Sequence, residues 1–474
     1  MRSKLIPTLL ALALSARAAA SGEPAPATAA PDPTLEALVR ESLERSPEYS
    51  RADAAVKAER ERIPQAGALP DPTLTLGIQN DGFNGIQVGK METSFYQVMV
   101  TQPFPWPGKR GSRERAAEAQ ASVVNAQLER IRLSTAAEVE RAYVDLLLVR
   151  GQLELQARLE TLWKEAETMA RTRYEVGAGP QSDLIRAQLE RTRLQQQRIA
   201  LETTERTRVQ TLNRLRVHPL DEPIPTDRKL SEGGDPAPST VEEAMADAER
   251  RSPDLAQAHL SVLAAQRRVE VAKRDRFPDL SVTAGIMPRG QLDPMWLASV
   301  GITLPIFSGS KQSRAVAESA RREESEVSGE EATRQVVRLR AQERQTLLAA
   351  LTRTNTLYRS AVLVQSEAAV RSTLAQYQVG KVTFQSVLDV LRGLVADENG
   401  YLASLAEARR VAIAQREVSL DAPAGLGGGV ASGTIPGAGA MGGGGRGGKG
   451  SAATGGQEQA APTSASGGGM SSGM

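Results

Sequence analysis

From Lys109 to Tyr174 the chain contains no proline, and from Ser310 to Tyr377 it again contains none. Gly111 and Gly151 are the only glycines of the first stretch and Gly329 the only one of the second. Both are filled with Ala, Arg, Glu, Gln and Leu, which favour helix. Each stretch predicts one helix roughly 100 Å long at 1.5 Å per residue. No compact globular domain holds such a rod. In the first, Val139, Ala142, Leu146, Val149 and Leu153 recur at spacings of 3, 4, 3 and 4, the seam of a coiled coil. A return helix is expected after each rod, over 182–215 and 385–418.

The rods end alike, in YEVG at 174–177 and YQVG at 377–380. Their surroundings repeat in the same order. Ser46-Pro47-Glu48 answers to Ser252-Pro253-Asp254, and Pro70-Asp71 to Pro278-Asp279. LTLGI at 74–78 answers to VTAGI at 282–286, and QPFPWPGKR at 102–110 to LPIFSGSK at 304–311. The unit is about 200 residues, far longer than a solenoid repeat. It is a folded half made twice, over 34–216 and 241–418, joined by a linker at 217–240 rich in proline and charge.

Each half opens with an expected helix, 34–66 and 240–275, with Thr34 and Thr240 as N-caps. The period then changes to two. Leu74, Leu76 and Ile78 alternate with Thr73, Thr75 and Gly77, and Tyr96, Val98 and Val100 with Gln97, Met99 and Thr101. In the second half Leu280, Val282, Ala284 and Ile286 alternate with small polar residues, as do Trp296, Ala298, Val300, Ile302 and Leu304 with Leu297, Ser299, Gly301 and Thr303. Each half therefore predicts one hairpin with a single apolar face, its loops at 80–92 and 288–294. Four strands cannot close a barrel and a lone hairpin is marginal, so sister chains are expected to supply partners. In lipid only a closed barrel satisfies the backbone of a sheet.

Composition removes other classes. The 58 Lys+Arg nearly balance 56 Asp+Glu, which gives no one-sided basic surface for nucleic acid. There is no cysteine, and histidine occurs only at His218 and His259, so one chain builds no Cys/His metal cage. No GxSxG, Walker loop or HExxH is present, so neither catalysis nor a cofactor is expected. Arg2 and Lys4, the apolar run Leu5–Leu14 and Ala18-Ala19-Ala20 read as a signal peptide over 1–20. No cysteine follows it to carry a lipid, and no run of ~20 apolar residues predicts a spanning helix. Residues 422–474 are mostly Gly, Ala and Ser without aromatics and are expected to be a disordered tail.

Over about 34–418 the chain resembles the TolC family of outer-membrane efflux channels. The motifs that carry the resemblance are PDP before the first strand, QPFPWPGKR and YEVGAGPQSDLIRAQ, in order. ALPDPTLTLGIQND with QPFPWPGKR is most similar to the heavy-metal branch, the CusC/CzcC-like channels of RND pumps. The resemblance implies a mainly α fold with a transmembrane β-barrel. A homotrimer would give four strands per protomer to a twelve-stranded barrel in outer-membrane lipid, above an α-helical periplasmic tunnel. It implies docking to a periplasmic adaptor (membrane fusion) protein and an inner-membrane RND pump, and passive conduction of substrate, here heavy-metal cations. A duct for multidrug efflux or protein secretion is one alternative, and a periplasmic coiled-coil scaffold a second.

The same resemblance assigns the periplasmic gate and adaptor-docking tips to Tyr174, Gly177 and Asp183 in the first half and to Tyr377, Gly380, Lys381 and Asp389 in the second. Asp183 matches an aspartate that bonds across to a tyrosine, here Tyr377, and holds the channel shut. Asp389 matches one acidic ring of the constriction. A second ring would fall on Ser386, and a gate arginine on Val382. Plainer readings stand beside these: helix C-caps for the glycines, coiled-coil packing for the tyrosines, a solvated helix face for the acids. Pro103, Pro105, Pro107 and Gly108, repeated as Pro305 and Gly309, mark the change from strand to helix, the barrel-to-tunnel junction. Trp106 and Trp296 suit either a membrane interface or core packing.

Overall fold

A computed structural model describes residues 32–232 and 239–421, all within one compact unit. The expected signal peptide and glycine-rich tail lie outside the described residues. The first half contains α1 (Pro33–Arg45), α2 (Pro47–Gly67), β1 (Thr73–Gln79), β2 (Phe95–Phe104), α3 (Lys109–Glu175) and α4 (Gln181–Leu215). The second contains α5 (Val241–Arg251), α6 (Pro253–Arg274), β3 (Asp279–Arg289), β4 (Leu292–Thr303), α7 (Gln312–Leu357), α8 (Leu363–Gln378) and α9 (Phe384–Glu417). Types and order agree between the halves except where the second rod divides.

The single helix expected at the start of each half is two. Ser46 and Ser252 are extended, cap the next helix through Tyr49 N–H and Leu255 N–H, and precede Pro47 and Pro253 at its first position. A residue before proline is pushed out of the α region, and a proline is welcome only in a helix's first turn. Thr34 does not cap α1. Asp32 does, accepting from the N–H groups of Thr34 and Leu35. Thr240 caps α5 in a capping box with Glu243.

The second rod departs from an unbroken helix over 310–377. It begins at Gln312, and Tyr358–Val362 form one π turn between α7 and α8. Tyr358 packs here against Tyr401, and a β-carbon on Gly400 would stand 2.7 Å from its hydroxyl. The first rod runs unbroken for 67 residues. Its middle buries Tyr143, Val144 and Leu147 as well as Val139, Ala142, Leu146 and Val149 of the predicted seam, whose last member, Leu153, is only half-buried. The cause is company: α1, α2, α4, α6 and α9 all pack on α3. The linker adds to this core. Ile224 and Leu230 are buried there, and Arg150 Nη2 donates to Ile224 O at 3.0 Å.

The two hairpins join into one antiparallel sheet, β1-β2-β3-β4. Register places Leu76, Val98, Ile286 and Trp296 in one row and Leu74, Val100, Ala284 and Ala298 in the next. The opposite face carries Thr73, Thr101, Thr283 and Ser299 across the same strands, with Thr101 and Thr283 hydroxyls 2.9 Å apart. The expected loop at 288–294 is instead mostly strand. β3 continues through an irregularity between Met287 and Arg289, where Pro288 lacks an N–H, and turns through Gly290-Gln291 with Gly290 left-handed.

Candidate functional site

The two helix-turn-helix tips meet. α3 ends at Glu175, and Gly177 takes the left-handed conformation at φ +72°; α8 ends at Gln378, and Gly380 does so at φ +75°. Each glycine therefore carries the turn that a Cβ would strain. Tyr377 is buried, 2% exposed, whereas Tyr174 is 43% exposed. The Tyr377 hydroxyl donates to Asp183 Oδ2 at 3.2 Å, from the second tip to the first turn of α4. Its ring lies 5.4 Å from that of Phe384, which is buried at the start of α9. Burial, and then the Asp183 carboxylate, push the Tyr377 hydroxyl up to about 12. At neutral pH it keeps its proton, which it donates to the Asp183 carboxylate.

Arg173, which the sequence reading passed over, clasps the tips together. Its Nη1 donates to Tyr377 O at 2.7 Å and its Nη2 to Ala178 O at 2.8 Å. The guanidinium carbon stands 5.0 Å from the centre of the Tyr377 ring, within cation–π range. One side chain thus satisfies a carbonyl of each turn, where helix ends leave acceptors unpaired. Its position directly before YEVG was the only local signal. Behind it, buried Glu167 receives Arg191 at 2.6 Å and Arg171 at 3.3 Å, and the Arg191 hydrogen bond holds its carboxyl below the usual range.

Lys381 and Asp389 are exposed, and Asp389 accepts from Gln385 Nε2 at 2.8 Å. Ser386 lies beside Thr383, the N-cap of α9. The tips thus bring Asp183 and Tyr377 together, and leave Tyr174, Lys381 and Asp389 facing outward. Among the described residues no group of three His, Cys, Asp or Glu is placed to hold a metal ion.

At the strand-to-helix junction, Pro103 lies inside β2, Pro105 and Pro107 follow it, and Gly108 is left-handed at φ +91° before α3. Lys109 is buried, and its Nζ donates to Asp279 Oδ1 at 2.8 Å; Trp106 N–H donates to the same oxygen at 2.9 Å. Trp106 stacks on Phe277, rings 6.1 Å apart. The first half's junction is therefore pinned by the start of β3. The second junction does not repeat this arrangement: Gly309 is not left-handed, and Ile306 and Phe307 are exposed beside Pro305. Trp296 is 80% exposed on the apolar face of the sheet.

Among the described residues no helix is long and apolar enough to cross a membrane. The family described as "Outer membrane efflux protein" matches residues 38–217 and 244–425. Protein CyaE of Bordetella pertussis is 28% identical over 185 residues, 38% of this chain, and the match spans only 39% of that relative's length. Among solved structures, CusC superposes with a TM-score of 0.68 at 16% identity, covering 81% of this chain and 92% of that one. The outer-membrane channel OprN gives 0.66 at 20%, covering 82% and 90%. The open state of the MtrE outer-membrane channel of Neisseria gonorrhoeae gives 0.66 at 20%, covering 82% and 89%. These likenesses concern the fold.

Proposed function

The chain belongs to the outer membrane efflux protein family, and from that premise we propose that three copies form an export duct through the outer membrane. The observation that carries this reading is the sheet. One face is a continuous apolar surface exposed on all four strands, and β1 and β4 each leave an edge unpaired. In water such a sheet is an aggregation template; in lipid, paired edge to edge with sister copies, it is a barrel wall. The halves 34–216 and 241–418 each supply a hairpin and a pair of long helices. The helices form the periplasmic tunnel, and conduction is passive, driven by an inner-membrane pump of the RND type through a periplasmic adaptor. A periplasmic scaffold has no use for this apolar face.

The tips are the gate and the adaptor-docking surface. Tyr377 bonded to Asp183, with Arg173 across both turns, holds the aperture shut. Three symmetric copies of Asp389 would concentrate negative potential there and favour cations. Heavy-metal cations are the substrate class supported by ALPDPTLTLGIQND and QPFPWPGKR. Single-channel recording tests the gate: Asp183→Ala should raise conductance, and an unchanged value would remove Asp183 from that role. Metal sensitivity of cells lacking the channel tests the substrate; sensitivity to dyes and detergents alone would reassign it to drug efflux.

A further inference from the structure

Within one chain, the junction of the first half is closed by the second half: Lys109 reaches Asp279, and Trp106 stacks on Phe277. The junction of the second half is open. Lys311 is exposed, as is Asp71 at the other edge of the sheet, and neither side chain has a partner among the described residues. The halves show how these loose ends correspond. Asp71 and Asp279 follow the prolines of the two Pro-Asp pairs and stand 208 residues apart, the same separation as Gly77 and Gly285 in LTLGI and VTAGI. Tyr174 and Tyr377 stand 203 apart, and a π turn adds one residue to a helix. Counting back across the π turn leaves 202, which sets Lys109 against Lys311, whereas the strand pairings Leu76–Val98 and Ala284–Ala298 set β4 200 residues beyond β2.

We propose that Lys311 of one copy pairs with Asp71 of the next, rebuilding between chains the Lys109–Asp279 contact made within each. This rests on the multi-copy duct proposed above and names its contact. The same template sets the strand register across the seam. Val100 faces Ala284 and Gln102 faces Val282 within the chain. Carried to the open edges, Val300 faces Leu76 and Ile302 faces Leu74 of the neighbour. Apolar residues then meet apolar residues on one face, which a one-residue slip would destroy. Ile306 and Phe307 are exposed in the single chain, in a connection with two more residues between strand register and lysine than the first; across the seam they come to lie by Leu69, which occupies the place of Phe277.

The chain has no cysteine, so introduced thiols report without background. Full-length Asp71→Cys/Lys311→Cys protein in detergent, treated with a short bis-maleimide, should run mostly as covalent dimer and trimer on denaturing gels. Each single variant should stay at monomer mass. As a second measurement, Lys311→Asp should lower the temperature at which native trimers survive, and adding Asp71→Lys should restore it. A threefold native mass with no cross-linking and no rescue overturns this contact while leaving the duct intact. A monomeric native mass overturns the duct and the contact with it.

Discussion

The two halves share their elements and differ in what those elements touch. The first rod is unbroken and packed on several sides; the second carries a π turn, with Asn355 buried three residues before it and no partner for its amide among the described residues. Tyr174 and Tyr377 occupy matching turns, yet one faces outward and the other lies under Arg173 and Phe384. The ends of the return helices diverge likewise. Arg214 on α4 pairs with Glu138 at the surface at 3.0 Å, whereas Glu417 on α9 is buried against Arg130 at 3.2 Å and Arg141 at 2.6 Å. Val217 and Val418 then follow with φ of 55° and 51°, but Val217 is 49% exposed and Val418 3%. Local sequence repeated the backbone, and the neighbours gave each copy a different energetic role.

That contrast can be broken by paired substitutions. Tyr377→Ala should cost roughly 3–5 kcal/mol of tip stability, as other buried aromatics do, against under about 0.5 kcal/mol for Tyr174→Ala. Hydrogen exchange across 370–390 reads the difference, and equal effects would mean the tips are equivalent in solution. Glu417→Ala leaves Arg141 without this carboxylate and Arg130 with Asp254 alone, at 3.4 Å, and should cost about 2 kcal/mol; Arg214→Ala, exposed, should cost less than about 1 kcal/mol. Chemical denaturation in detergent followed by circular dichroism compares them.

The Tyr377 hydroxyl titrates above an ordinary tyrosine, at about 12 rather than 10.0, so its contribution is whole below pH 10 and is lost as pH rises through about 12. The protection of tip amides, corrected for base-catalysed intrinsic exchange, should fall in that window. Tyr377→Phe should remove the dependence, and its persistence would point to another group. The smallest effects have opposite signs. Val217→Gly relieves a left-handed β-branched residue and should stabilise by about 1 kcal/mol. Val418→Gly relieves the same strain but empties a buried site worth ~1.5–3 kcal/mol, for a net loss. Two shifts of one sign would show that burial does not separate the halves.

What could be read locally was read well. Thr73–Gln79 was bounded by its alternation, and the return helices expected over 182–215 and 385–418 stand at Gln181–Leu215 and Phe384–Glu417. The errors fell where one residue overrides a pattern, as at the Ser-Pro pairs that split α1 from α2 and α5 from α6, or at the π turn, which leaves no proline or glycine to mark it. At the tips, Asp183 and Tyr377 were paired through a family resemblance, and Arg173 was missed because its targets are carbonyls, which no side-chain pattern encodes.

By itself the sequence determined the rods, the strand alternation and the left-handed turns at Gly177 and Gly380, because hydrogen-bond period and φ preference act over a few residues. Only the tertiary structure decided that β2 pairs with β3, that Lys109 finds Asp279, that Ile224 and Leu230 of the linker enter the core, and that Tyr377 rather than Tyr174 is buried. These contacts join residues far apart along the chain, and their energy depends on which surfaces packing brings together. Two nearly identical tetrapeptides, YEVG and YQVG, therefore specify the same turn and different fates.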